Sequence, residues 1–213
     1  MTVADPAFIE ARTTEVTLRD GTAVRLRPIV PTDKRHLVEG FRRLSPQSRY
    51  RRFLSPMDDL SPDLLRRLTE IDYVDHFAWI AFLAGPSEDA GIGVSRYVRV
   101  PDEPEVAEAA VTVVDDYQRR GAGTLLLQAL GAVALENGIK RFRGYALADN
   151  RAIRELADGA TVAHEAPGVL LIEVDLPAQA EELRASPMYD ILRSVARGEG
   201  PLFRPPGAAN GSA

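Results

Sequence analysis

From Glu15 to Pro28 polar and apolar residues take turns on either side of Asp20-Gly21. Alternation of this kind gives a strand one buried face, and glycine accepts the positive φ of a tight turn, so the segment predicts a β-hairpin. Leu37, Val38, Phe41 and Leu44 recur instead at helical spacing behind Pro31-Thr32-Asp33, where Thr32 or Asp33 can cap the free N–H groups. Ser61-Pro62-Asp63 starts a second helix, with proline at its first position, that runs to about Glu70. Phe77 to Ala84 is an almost unbroken apolar run, and Gly91–Val100 and Glu105–Val114 follow it with strand character. These three predict successive antiparallel strands. After Tyr117 the period changes. A Leu- and Ala-rich helix runs from Thr124 to about Glu136 and ends at Asn137-Gly138, as a left-handed cap requires. A strand at 142–148, a helix from Asp149-Asn150 to about Asp158, strands at 162–165 and 169–176, and a helix at 178–197 complete the pattern.

Residues 1–14 read as a flexible arm and 198–213, rich in Gly, Pro and Ala, as a disordered tail. Residues 15–177 then form a single α/β domain, a mixed and mostly antiparallel central sheet flanked by helices. Its 45% hydrophobic content supports a real core. A net charge of −5 argues against nucleic acid as a partner. The absence of cysteine excludes disulfides, thiolate metal sites and a cysteine nucleophile. His36, His76 and His164 lack ligand spacing, so no metal is expected. No apolar run approaches the roughly 18 residues of a membrane helix. Asp5 and Glu10 stand where a signal peptide would be basic and then apolar. A cytoplasmic protein without a membrane partner is expected.

The chemistry concentrates in Gln118-Arg119-Arg120-Gly121-Ala122-Gly123-Thr124, a glycine loop opening onto a helix N-terminus. Free N–H groups and the helix dipole suit such a place to a phosphate or pyrophosphate, although a tight βα turn also accounts for the glycines. No Gly-Lys-Ser/Thr follows, and Leu126 stands where a dinucleotide loop needs its third glycine, so neither nucleotide loop fits. Glu108 lies on a strand otherwise of Ala, Val and Thr. Partial burial there would suit a general base, whereas a solvated glutamate paired with an arginine is the bland alternative. Glu105 is the reserve candidate on the other strand face.

Gln118 to Gly123 fits Gln/Arg-x-x-Gly-x-Gly/Ala at every position, and the segment resembles the acyl-CoA site of the GNAT N-acetyltransferases. Element order extends the likeness over roughly residues 16 to 176. Ala107-Glu108, the alternating strand and Asp115-Asp116-Tyr117-Gln118 are similar to the bacterial Pat-type protein-lysine acetyltransferases. The resemblance implies acetyl-CoA as cosubstrate, no metal, and Glu108 as general base. It further implies cofactor contacts at Val111, Val113, Gln118, Arg119, Arg120, Gly121, Ala122, Gly123, Thr124 and Asn150. Backbone N–H groups at Val111 and Val113 would face the acetyl carbonyl and pantetheine, with Tyr145 a candidate proton donor to the leaving thiolate. The chain departs from the family at Ala157-Asp158-Gly159-Ala160, where Leu-Gly-Phe is usual, and the regulatory domain many Pat-type proteins carry is not expected within its 213 residues.

The acceptor implied is a primary amine, first a protein lysine. A small amine (polyamine, amino sugar or amino acid) or a non-catalytic acyl-CoA-binding module are the alternatives. Helix 178–197 can pack on the domain or on a second copy, which leaves a homo-oligomer open. Trp79 is expected in the core and His36 at the surface, with His76 a minor candidate for the acceptor cleft. Arg49, Arg51, Arg52, Arg66 and Arg67 are expected on solvated helix faces, with contact to acidic residues of a protein substrate or to the adenosine phosphate of CoA as the functional alternative.

Overall fold

A computed structural model describes residues 5–18, 20–85, 91–149 and 160–177. Eight strands form one sheet in the order β1-β2-β3-β4-β5-β6-β8-β7. The hairpin is β1 (Thr14–Thr17) and β2 (Ala23–Pro28), antiparallel, with Gly21 at φ +86° in its turn. β3 (His76–Leu83), β4 (Gly91–Val100) and β5 (Glu103–Val113) continue the antiparallel run, as the sequence pattern predicts. β6 (Arg141–Leu147) is parallel to β5. β7 (Thr161–Ala166) and β8 (Val169–Asp175) finish the sheet antiparallel.

Helices cover both faces. α5 (Ala122–Glu136) packs on β3, β4 and β5, begins two residues before Thr124, and is apolar nearly all round, as a buried helix must be. Beneath it Trp79, Phe77, Tyr97 and Phe142 form a chain of ring contacts with centroids 5.2 to 6.2 Å apart. Ser95 Oγ donates to Leu126 O at 2.9 Å and fastens the helix to β4. The other face carries α2 (Lys34–Arg42), α3 (Pro46–Phe53) and α4 (Pro62–Thr69), joined through Phe41, Leu44 and Leu60. Ser45 and Ser61 cap α3 and α4 by accepting from Ser48 N and Leu64 N.

Part of the expected arm is ordered. Pro6–Ala11 form α1, capped by Asp5, because Phe8 and Ile9 find apolar partners; Phe8 meets Tyr73 with centroids 5.1 Å apart. The helix expected at 150–158, the helix at 178–197 and the tail at 198–213 lie outside the described residues. Among the described residues no helix is long and apolar enough to cross a membrane.

Asp33 is not a simple cap, and His36 is not at the surface. Both are buried with Arg27. Arg27 Nη1 and Nη2 donate to the two Asp33 oxygens at 2.8 Å each, Val30 N–H donates at 2.8 Å, and His36 Nδ1 lies 2.9 Å away. Burial opposes ionisation of Asp33, but the Arg27 hydrogen bonds and charge, with Val30 and His36, outweigh it and hold the carboxyl below its usual range. Hydrophobic spacing could not show this, because the partner is contributed by β2. Asp33→Ala takes the carboxylate away from the buried Arg27 guanidinium and is expected to cost about 3–5 kcal/mol at pH 7 in urea denaturation. The contribution is complete above the unfolded carboxyl value of about 3.9 and is lost as pH falls through the lower folded value. A difference between wild type and variant that grows towards pH 3 would contradict this.

Candidate active site

β5 and β6 pair only over Val106–Glu108 against Arg141–Arg143. Beyond that point they part, β5 staying with β4 and β6 with β8. Gly144 stands at the fork, where a Cβ would come 3.3 Å from Ala109 O. Within a strand, alternate residues direct their backbone groups to the same neighbour. Glu105 O accepts from Lys140 N at 2.7 Å on the β6 side, whereas Val114 N–H donates to Ile92 O at 2.9 Å on the other. By that alternation the N–H groups of Val111 and Val113 face the opening. They form a row of donors that β6 does not pair.

Glu108 is the last β5 residue paired before the fork. It is exposed, so the partial burial expected of it is absent: the parting of the strands leaves its side chain in solvent. Among the described residues it makes no hydrogen bond or ion pair. Arg143, directly across on β6, is occupied by Glu103 at 2.8 and 3.1 Å and by Glu173 at 2.9 Å. Glu105 is tied to Lys140 in an ion pair. Tyr145, exposed and two residues along β6 from Arg143, shares that strand face beyond the fork.

Next along the chain, a 3-10 turn at Asp115–Tyr117 leads to the glycine loop. Arg119 and Gly121 hold positive φ of +59° and +95°, and Gly121 caps α5. The N–H groups of Ala122, Gly123 and Thr124 therefore begin a 15-residue helix without intrahelical partners. Gln118 braces the loop: its Nε2 donates to Val113 O and Asp115 Oδ1, both at 3.1 Å. Arg120 faces Asp20 at 3.6 Å and lies 5.0 Å from the Tyr117 ring. Arg119 is exposed and has no partner among the described residues. Asn150 lies outside the described residues.

On the α2–α4 side of the sheet is a cavity of about 640 Å³, counted to its open mouth. Val94, Arg96, Ala110 and Thr112 form its sheet wall. Ala110 and Thr112 alternate with the core-facing Ala109 and Val111, which puts them on the Glu108 face of β5. Arg52 is not on a solvated helix face but lines this cavity with Arg96. Behind them His76 accepts from Arg96 Nη1 at 3.0 Å. Burial and then the Arg96 charge push His76 down to about 4, so it is neutral at pH 7. Arg52 belongs to the arginine cluster that the sequence singles out, whereas Arg96, a lone arginine on a strand, looks solvated until the fold puts both in one cavity. Among the described residues no His, Asp and Glu group could hold a metal.

The family described as the acetyltransferase (GNAT) domain matches residues 23–159. The chain belongs to the GNAT acetyltransferases. Within the family it is similar to acetyltransferase Pat of Mycolicibacterium smegmatis, with 39% identity over 166 residues. Those residues are 76% of this chain but 48% of that protein, so the chain spans about half of it. Acetyltransferase PA5475 of Pseudomonas aeruginosa is 37% identical over 139 residues, 65% of this chain and 74% of that one. The crystal structure of the GNAT domain of S. lividans PAT matches with a TM-score of 0.71 at 34% identity, covering 78% of this chain and 97% of that one.

GNAT domains use acetyl-CoA, and of the two loop arginines Arg120 is engaged with Asp20 and Tyr117 whereas Arg119 has no partner among the described residues. Arg119→Ala is expected to weaken acetyl-CoA binding roughly tenfold in calorimetry, as loss of a charge-assisted hydrogen bond does. Arg120→Ala, already engaged with Asp20 and Tyr117, is expected to cost less. The reverse order would contradict this placement.

Proposed function

We propose that the chain transfers an acetyl group from acetyl-CoA to a protein lysine side chain by direct attack, with Glu108 as general base. The observation that carries the reading is the position of Glu108. It is unpartnered among the described residues and stands at the fork, on the strand whose Val111 and Val113 N–H groups face the opening. A lysine amine has a pKa near 10.4, so only about one in 10³ is neutral at pH 7 and a base must take its proton.

In this reading the pantetheine fills the unpaired side of β5, and the Val111 and Val113 N–H groups stabilise the carbonyl oxygen as it becomes an oxyanion. The amine nitrogen bonds to the thioester carbon, its proton passes to Glu108, and the C–S bond breaks. The thiolate takes a proton, for which Tyr145 is the nearby candidate. The helix N-terminus at Ala122–Thr124, with Arg119, holds the pyrophosphate. Likeness to the Pat proteins supports a protein acceptor. A small amine is the second reading, favoured by the cavity beside Glu108, although two unneutralised guanidiniums weigh against a polyamine.

Acetyl-labelled acetyl-CoA incubated with the chain and a bacterial lysate tests the proposal. Label is expected in specific proteins, and Glu108→Gln is expected to lower turnover about 10²- to 10⁴-fold with acetyl-CoA affinity nearly intact. Wild-type turnover in the variant would overturn the assignment of the base. Label confined to small molecules would replace the protein acceptor by the second reading.

A further inference from the structure

Arg96 and Arg52 are the unexplained groups of this site. Arg96 Nη1 donates to Leu68 O at 3.1 Å and to His76, but its Nε and Nη2 make no hydrogen bond among the described residues. Arg52 makes no hydrogen bond or ion pair among them, and its contact is the Phe53 ring, 5.0 Å away. Burial lowers both guanidiniums from their ordinary value, Arg96 to about 9 with the like charge of Arg52 adding to the effect, yet both stay charged at neutral pH. His36 also lines the cavity, and its buried Nε2 has no partner. Two like charges among apolar walls are costly unless an anion joins them. Elsewhere the fold satisfies that demand, since buried Arg27 has Asp33. Here, among the described residues, it supplies no carboxylate.

We propose that the acceptor carries a carboxylate beside its amine and that Arg52 and Arg96 seat this carboxylate in the cavity adjoining Glu108. The inference rests on the acetyl-transfer reading above and narrows its acceptor. Arg96 pairs across strands with Ala110, two residues from Glu108. At about 3.3 Å per residue the two rows are roughly 7 Å apart, within reach of one small ligand or one short peptide segment. A cofactor phosphate is the wrong anion, because no residue of the loop 118–124 lines the cavity. A carboxylate on the acyl group is disfavoured, because the Val111 and Val113 N–H groups face β6 whereas Arg96 is on β4. The carboxylate is unchanged in the reaction; only the N–C bond forms and the C–S bond breaks. It can belong to a free amino acid or to an acidic side chain next to the lysine of a protein.

Two matched pairs test this on the full chain with acetyl-CoA: lysine against lysinamide, and acetyl-Glu-Lys-amide against acetyl-Gln-Lys-amide. In at least one pair kcat/KM is expected to favour the carboxylate about 10- to 100-fold, the usual worth of a charge-assisted contact. Preference in the first pair identifies a free amino acid, and in the second an acidic neighbour in a protein. Arg96→Gln and Arg52→Gln are expected to bring the ratio towards one, and Arg96→Lys to retain part of it. Arg52→Gln breaks no hydrogen bond among the described residues, so it reports even where an Arg96 variant unfolds. A ratio near one in both pairs, or a ratio untouched by both Gln variants, overturns the proposal. So does an Arg96-dependent preference for succinyl-CoA over acetyl-CoA with the acceptors treated alike, which moves the carboxylate to the donor. Calorimetric titration of the same four compounds makes the comparison without turnover. A chain that acetylates none of them, which defeats the transfer reading for these acceptors, still shows whether it discriminates carboxylate from amide.

Discussion

Two neighbouring strands that pair for three residues and then part set the terms for this domain. An interior strand normally has both edges satisfied, and leaving one open strands a row of backbone donors. β5 is held on its other edge by β4 over nearly its whole length, so it cannot move to close the gap. β6 is held just as firmly by β8. The opening is therefore built into the pairing of the sheet. It presents main-chain N–H groups, a carboxylate at its apex that has no partner among the described residues, and a helix N-terminus at its mouth. An acyl thioester joined to a pyrophosphate has the matching order of acceptor groups.

The α2–α4 side of the sheet shows how differently the fold treats its buried charges. Asp33 receives Arg27, a backbone N–H and His36 within one turn of structure, and the cluster ties β2 to α2. Arg96 and Arg52 lie in a cavity with backbone, ring and imidazole contacts but, among the described residues, no carboxylate. The first cluster is complete and structural. The second has the form of a binding site, whose missing partner comes with the ligand.

Local chemistry made much of this legible in the sequence. Alternation around Asp20-Gly21, the three strands after Phe77 and the motif from Gln118 to Gly123 each depend on neighbouring residues, and each has its place in the fold. What stayed hidden depends on residues far apart in the chain. His36 has polar neighbours on α2 but is buried by Phe82 and Asp33. The Phe8 helix is ordered by Tyr73, and Arg52 is drawn inward by a cavity wall made from α2, α4 and β4. The apolar strand neighbours of Glu108 predict burial, and its exposure follows instead from the divergence of β6, which no pattern within β5 records.

Amide hydrogen exchange on the full chain, with and without CoA, addresses the open edge of β5 directly. Val111 and Val113 are expected to exchange quickly without CoA and to become protected with it, together with Ala122 to Thr124. Val114, whose N–H is held by Ile92, is expected to be slow in both states. Protection of Val111 and Val113 without any ligand, or exchange there that CoA leaves unchanged, would contradict the account.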